Sequence, residues 1–207
     1  MDKNYKKIIK IIGQFLALFL VIFSIIYLIV NYPSLKVRVS YKLSPKEIRI
    51  ESVEKDIIKE NNSVEITYND TLIIPKIAVK VPIIWTKNES EAAEDLKLGV
   101  SHYPGSVMPG EIGNSVIIGH SSNYWWDKGN YNSIFANLSN LENNNDVFVY
   151  FGNKKLLYRV YEKQTLSPLK INAEIFSNKK EPILTLITCM PLGTNINRLL
   201  VKTRLID

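Results

Sequence analysis

The stretch that decides the fold is Thr185-Leu186-Ile187-Thr188-Cys189-Met190-Pro191, an apolar and β-prone run that stops at a cysteine. Pro191 and Gly193 break the ladder after it, because proline cannot donate a backbone hydrogen bond to a neighbouring strand. We therefore expect the thiol at a strand end, on the rim of a sheet, where a substrate can reach it. A cysteine with only a structural role would more naturally lie inside the run.

Arg198 lies nine positions after the cysteine, where the next apolar run begins. If the two strands are antiparallel neighbours, Arg198 returns close to Cys189, and the eight residues between them are a normal connection length. Cys189 is the only cysteine, which excludes an internal disulfide. A lone thiol is either a reactive nucleophile or a small buried hydrophobe.

Short segments rich in Val, Ile and Tyr recur from Leu72 onward, between clusters of Gly, Pro and Asn. Seven such strands with few helices predict an antiparallel barrel or sandwich. The predicted strands are Leu72–Ile74, Ala78–Ile84, Ser115–Ile118, Asp146–Tyr150, Lys155–Lys163, Ile183–Thr188 and Leu199–Leu205. Two brief helices are predicted near Glu91–Leu98, with Asn88 and Glu91 as a capping box, and near Asn132–Leu138.

The chain has two histidines, His102 and His120. A cysteine nucleophile needs a base or an imidazolium partner, because the thiolate is the reactive form and a free thiol has a pKa of about 8.5. His120 follows the run Ser115–Gly119 at a strand end, whereas His102 lies in a looser stretch. Strand ends hold side chains more rigidly than loops, so His120 is favoured, although spacing alone leaves His102 open.

Taken in order, these segments resemble the sortases. The run from Thr185 to Cys189 looks like the T-L-x-T-C signature of that family, and Arg198 lies where sortases carry their arginine. The stretch Gly113–His120 resembles the segment that presents their histidine. Further sortase-like segments are Leu98–His102, Pro104-Gly105, Pro109-Gly110 and Ile74–Ile77. The resemblance covers roughly Leu72 to Asp207.

The resemblance implies a mainly β fold, an eight-stranded barrel with one to three short helices. We predict no cofactor and no metal site from the residues. The resemblance also implies that Cys189 attacks a backbone carbonyl in the sorting signal of an exported protein, an L-P-x-T-G-like pentapeptide in several members. His120 then acts as the acid–base partner and Arg198 stabilises the oxyanion. The thioacyl enzyme is resolved by an amine, on a cell-wall precursor or a pilin-like lysine. Thr188 is predicted to add a polar contact to the substrate.

Some residues depart from the family pattern and leave the subclass open. Met190 replaces the small polar residue that often follows the cysteine in pilin-assembling members, and no Asp-Pro lid motif occurs between Pro33 and Asp70. The calcium site of some members does not transfer, since no ligand spacing stands out among acidic residues such as Glu142 and Asp146. The aromatic run Tyr124-Trp125-Trp126, just beyond His120, is either a wall of the site or local packing.

The N-terminal stretch from Ile11 to Val30 contains no charge and is long enough, as a helix, to span a bilayer core of roughly 30 Å. We expect residues 1–10 to be a cytoplasmic tail, 11–30 a single-pass anchor in the cell membrane, 31–70 a stalk and 71–207 an extracytoplasmic catalytic barrel. Lysines ahead of the span favour an inside N-terminus. Within the stalk, the alternation Val37, Val39, Tyr41 predicts a short strand. A helix is predicted from Ser44 through Ile57.

Charge and motif order weigh against other functions. Half of the net charge of +6 lies in residues 1–30, so the positive and negative charges of the remaining chain nearly cancel. That part of the chain lacks the excess of basic residues typical of nucleic-acid-binding proteins. Other envelope cysteine enzymes fit less well, because papain-like hydrolases place cysteine before histidine and L,D-transpeptidases carry Ser-His-Gly-Cys around the nucleophile. A non-catalytic β-barrel assembly module is the third alternative, but it leaves the scarce Cys, His and Arg residues unexplained.

Overall fold

The computed structural model of the chain describes residues 3–51, 70–123, 127, 129–177 and 180–206. It begins with α1 (Lys3–Leu43), a helix of 41 residues whose apolar part is exposed and is long enough to cross a membrane. After it come the short helices α2 (Ala92–Leu98) and α3 (Ile171–Ile175) and eight strands. The fold is therefore mainly β behind one apolar helix, as the sequence predicts.

Helix α1 continues well past the predicted anchor, so the strand predicted around Val37, Val39 and Tyr41 is wrong. The buried or half-buried positions Asn31, Ser34, Arg38 and Tyr41 recur every three or four residues, which is the helical period rather than the alternation of a strand. Val39 is 54% exposed, so the apolar alternation does not correspond to a buried face.

The strands form a closed eight-stranded barrel in the order β1-β2-β3-β4-β7-β8-β6-β5. The strands are β1 (Thr71–Ile74), β2 (Val79–Ile84), β3 (Val100–His102), β4 (Gly113–Ile118), β5 (Asp146–Phe151), β6 (Lys154–Leu166), β7 (Pro182–Met190) and β8 (Asn197–Leu205). All seven predicted strands are confirmed, and the sequence missed only β3, which is three residues long.

Two of the eight pairings are parallel, β2 with β3 and β4 with β7, so the barrel is not purely antiparallel. The long connection from β4 to β7 is what allows a parallel pairing, because parallel neighbours cannot be joined by a hairpin. The pairing places the segment after β4 beside the end of β7, and this position forms the site described below.

The barrel interior is filled by alternate residues of each strand, as the period of two requires. Leu184, Leu186, Ile117 and Val201 belong to this central core. Their neighbours Val116, Ile187 and Leu200 form a separate cluster on the outer surface of the barrel, packed under α3 through Ile175. The two clusters define which side of the strands is inside and which is outside.

The short helices are only partly as predicted. Helix α2 is confirmed, but Asn88 contacts the Glu91 side chain and caps no backbone amide of α2. The predicted helix at Asn132–Leu138 is a series of turns that ends in the 3-10 helix Leu138–Asn140. Residues 44–49 are not helical, so the predicted start at Ser44 is wrong; Ile50 and Glu51 are helical, and the rest of that prediction lies outside the described residues.

Candidate active site

The nucleophile candidate and the arginine face each other directly across two strands. Cys189 of β7 is the register partner of Arg198 of β8, which confirms the close return predicted from their spacing. Side chains alternate between the two sides of a strand, so Cys189 lies on the same side as Ile187, and Arg198 on the same side as Leu200. Both side chains therefore lie on the outer surface of the barrel. The free thiol is half-buried at the strand end.

The histidine candidate His120 lies beside the same strand end. The parallel pairing of β4 with β7 ends at Ile118 opposite Ile187, two residues short of both His120 and Cys189. Neighbouring strands are about 4.8 Å apart, and His120 has the outward parity of Val116. The register therefore brings the segment that carries His120 beside the strand end that carries Cys189 and Arg198.

Four contacts fix the backbone of the segment that carries His120. The Gly119 amide donates to the Ile187 carbonyl at 3.0 Å, and the Thr188 hydroxyl donates to the Gly119 carbonyl at 2.7 Å. The Phe135 amide donates to the His120 carbonyl at 2.9 Å. A Cβ on Gly119 would lie 2.5 Å from the Phe135 ring, so only glycine allows this close packing.

Thr188 is buried, and its hydroxyl is used in that contact with Gly119. The side chain therefore joins β7 to the histidine segment. A direct contact between Thr188 and substrate stays a prediction, and this hydrogen bond gives it no support.

Burial and one carboxylate act in opposite directions on His120. Removal of the ring from water lowers the pKa of His120 below its usual value, and the nearby Asp127 carboxylate raises it in part. At neutral pH the imidazole is thus favoured over the imidazolium. A neutral imidazole can accept a proton from a thiol.

The other histidine, His102, occupies a different environment inside β3. Its ring nitrogen Nε2 lies 3.0 Å from the Val107 carbonyl oxygen and 3.0 Å from the Ser106 hydroxyl, and the ring packs against Trp85. Its register partner is Ile117, three residues before His120 and about 10 Å along the strand. These contacts give His102 a structural role and favour His120 as the partner of Cys189.

Arg198 makes two local hydrogen bonds that orient its side chain. Nη1 donates to the carbonyl oxygens of Asn195 and Asn197, at 2.9 and 3.2 Å. A guanidinium has five N–H donors, so this contact leaves others for a substrate. Asn195 belongs to the connection between β7 and β8 and Asn197 is the first residue of β8, so these bonds tie the arginine to the loop beside Cys189.

A cleft of about 240 Å³ opens beside the thiol. Its lining is Val30, Asn31, Ser122, Asn123, Cys189, Gly193, Thr194 and Asn195. The sequence predicts Cys189 here but misses the contribution of α1, since nothing in the chain pattern signals that the helix end packs on this loop. The predicted wall of Tyr124, Trp125 and Trp126 lies outside the described residues.

The comparisons with known proteins identify the family of the barrel domain. The family model for the sortase domain matches residues 72–206, which is more than half of the chain. The chain belongs to the sortase family. This confirms the resemblance found in the sequence, and the closed barrel of eight strands confirms the fold that the resemblance implied.

Individual sortases show how far the likeness extends. Sortase D of Bacillus subtilis (strain 168) is 27% identical over 122 residues, 59% of this chain and 54% of that protein, so the match spans about half of the relative's length. Sortase C1 of Streptococcus agalactiae has a TM-score of 0.57 at 26% identity, over 67% of each chain. Sortase A from Corynebacterium diphtheriae shares the fold, with a TM-score of 0.57 at 23% identity over 75% of this chain and 69% of its own.

Proposed function

We propose that this sortase is a membrane-anchored cysteine transpeptidase with Cys189 as nucleophile, His120 as acid–base partner and Arg198 as oxyanion donor. The observation that carries the proposal is the register: Cys189 lies opposite Arg198, and the β4–β7 pairing ends two residues short of both His120 and Cys189. A thiol, a neutral imidazole and a permanent cation at one strand end supply the groups that acyl transfer needs.

In the first half-reaction, His120 takes the thiol proton and the Cys189 thiolate attacks a peptide carbonyl of the substrate. The oxyanion that forms receives hydrogen bonds from Arg198, and the carbon–nitrogen bond then breaks. His120 gives its proton to the departing amine, and a thioester to Cys189 remains. The lowered pKa of His120 suits this order, because the base must be neutral before the thiol loses its proton.

In the second half-reaction, an acceptor amine attacks the thioester carbonyl and passes a proton to His120. The carbon–sulfur bond breaks, the new amide leaves, and the thiolate recovers the proton from His120. Water attacking in place of the amine would give a carboxylic acid, so the relative access of amine and water to the cleft decides between transfer and hydrolysis.

The substrate class we propose is an exported protein with an L-P-x-T-G-like sorting signal, and the acceptor is an amine of the cell envelope or of another protein subunit. The exposed apolar helix supports residues 11–30 as the anchor in the cell membrane. The four lysines of residues 1–10 support a cytoplasmic N-terminus, with the barrel of residues 71–207 outside the cell. Residues 31–70 join anchor and barrel, partly as the continuation of α1.

The test is incubation of the full chain, in detergent micelles, with a library of sorting-signal peptides and a set of amines. Mass spectrometry should find an acyl adduct on Cys189 and an amide product that contains the added amine. A Cys189→Ala variant is the control and should give neither species. The absence of both adduct and product with every peptide would overturn the proposal.

A further inference from the structure

The C-terminal part of α1, from Tyr27 to Tyr41, packs against the barrel beside the catalytic cleft. Its Tyr41 hydroxyl donates to the Lys76 carbonyl at 3.0 Å, and its Tyr27 hydroxyl reaches the Leu192 carbonyl in a long hydrogen bond of 3.4 Å. The two tyrosines are fourteen residues apart, about 21 Å along a helix. Between them Asn31 and Ser34 are only 6% and 1% exposed.

Asn31 packs so closely against the loop that follows Cys189 that a residue with a Cβ would not fit at position 193. A Cβ on Gly193 would clash with Asn31 Oδ1, and Gly193 has φ +79, in the region that favours glycine. The Gly193 amide donates to the Ser122 hydroxyl at 2.9 Å. Three segments therefore meet at the cleft: the end of α1, the loop after His120 and the loop after Cys189.

The Asn31 carboxamide is held so that its acceptor remains available. Nδ2 donates to the Tyr27 carbonyl one turn earlier in α1, at 3.0 Å, which fixes the side-chain orientation. Among the described residues no donor reaches Oδ1. The side chain lines the cleft together with Cys189, and the other polar lining groups there are hydroxyls and amides without a formal charge.

We propose that Asn31 of helix α1 is a substrate-binding residue of the cleft, whose Oδ1 accepts a hydrogen bond from a backbone N–H of the bound peptide. A lining of uncharged amides and hydroxyls suits an extended peptide backbone, which offers one donor and one acceptor per residue. The anchor then forms one wall of the site as well as holding the enzyme at the membrane. This inference rests on the proposed transpeptidase function.

The first experiment compares the full chain with Asn31→Leu and Asn31→Ala in detergent micelles, using a peptide that acylates the wild-type protein. Leu keeps the size of the side chain and removes the acceptor. Because the hydrogen bond is made by bound substrate and transition state alike, KM should rise about 3- to 10-fold with kcat unchanged. Alkylation of Cys189 by iodoacetamide should keep its wild-type rate, since the thiol itself is untouched.

The matched control is Val39→Ala, on the exposed side of the same helix, which should leave KM and kcat at wild-type values. Wild-type KM in both Asn31 variants would overturn the inference while leaving the proposed function intact. If the wild-type chain itself forms no Cys189 adduct with any peptide, the proposed function fails instead.

A second pair of variants tests the contact between Asn31 and Gly193 from the side of the loop. Gly193→Ala places a Cβ against Asn31 Oδ1 and should displace the wall, raising KM at least as much as Asn31→Ala. Both Gly193→Ala and the double variant Asn31→Ala with Gly193→Ala carry the backbone strain of φ +79, but the double variant removes the clash and should show a lower KM than Gly193→Ala alone. Effects that simply multiply would show that the two residues act independently, and would overturn the inference.

Discussion

The hydrogen bond from Thr188 to the Gly119 carbonyl is the contact that ties the nucleophile strand to the histidine segment, and Thr188→Val removes it with little change of shape. The bond is 2.7 Å long, and Thr188 is 4% exposed. Loss of a buried donor leaves the carbonyl unsatisfied, which costs about 1–3 kcal/mol in the free energy of unfolding. For a chain of this size that corresponds to a decrease in Tm of roughly 3–10 °C.

The same change should loosen the placement of His120 relative to Cys189. Small misplacements of a proton-transfer partner are costly, so we expect kcat for acylation to fall by about 10-fold or more. The matched control is Thr203→Val: its hydroxyl donates to the Leu184 carbonyl at 2.9 Å and is similarly buried, but it lies toward the end of the β7–β8 pair that is far from Cys189. It should lose similar stability and keep its activity.

Thermal unfolding and peptide acylation of the two variants therefore separate stability from positioning. If Thr188→Val lost stability but kept wild-type kcat, or if Thr203→Val lost as much activity, the assigned role of the Thr188–Gly119 bond would be refuted.

Three further predictions concern charge. Arg198→Ala should lower kcat about 10²–10³-fold through loss of an oxyanion donor. Arg198→Lys keeps the charge but loses the planar guanidinium, so it should recover only part of the lost turnover. Wild-type turnover in Arg198→Ala would count against the role of Arg198. Burial lowers the pKa of both His102 and His120 in the folded protein. As the pH falls, these histidines therefore take up protons in the unfolded chain before they do so in the folded protein. The free energy of unfolding should decrease below pH 6.5, by up to about 1.4 kcal/mol per histidine at pH 5.5. Denaturant titrations at pH 7.5 and 5.5 measure this, and equal stability at both would contradict it. Lys202→Met should destabilise the domain by roughly 1–2 kcal/mol at pH 7, because the largely buried Lys202 pairs with Glu174 and Glu162. An unchanged denaturation midpoint would show that these ion pairs contribute nothing to stability.

Much of the barrel could be predicted from the sequence because its strands carry their own signals. Runs such as Ile183–Thr188 and Leu199–Leu205 combine leucine with β-branched residues and are long enough to stand out. The pairing of Cys189 with Arg198 followed from the length of the loop between them. The strand β3 was missed because three residues, one of them His102, show no alternation.

The placement of α1 could not be predicted because it depends on tertiary contacts. The alternation of Val37, Val39 and Tyr41 looks like a strand, yet the buried positions follow the helical period set by packing on the barrel. The approach of Asn31 to Gly193 joins positions far apart in the chain, and no local pattern reports it. The turns after Asn132 depend likewise on Phe135 packing against Gly119.

The most direct measurement of the central claim is the intact mass of the full chain after brief reaction with a sorting-signal peptide, followed by mapping of the modified residue. The proposed mechanism predicts one acyl group on Cys189, released by hydroxylamine as a thioester should be. It also predicts no adduct in Cys189→Ala and a strongly slowed one in His120→Gln. An acyl group on another residue, or an equal rate of formation in His120→Gln, would contradict the assignment of Cys189 and His120.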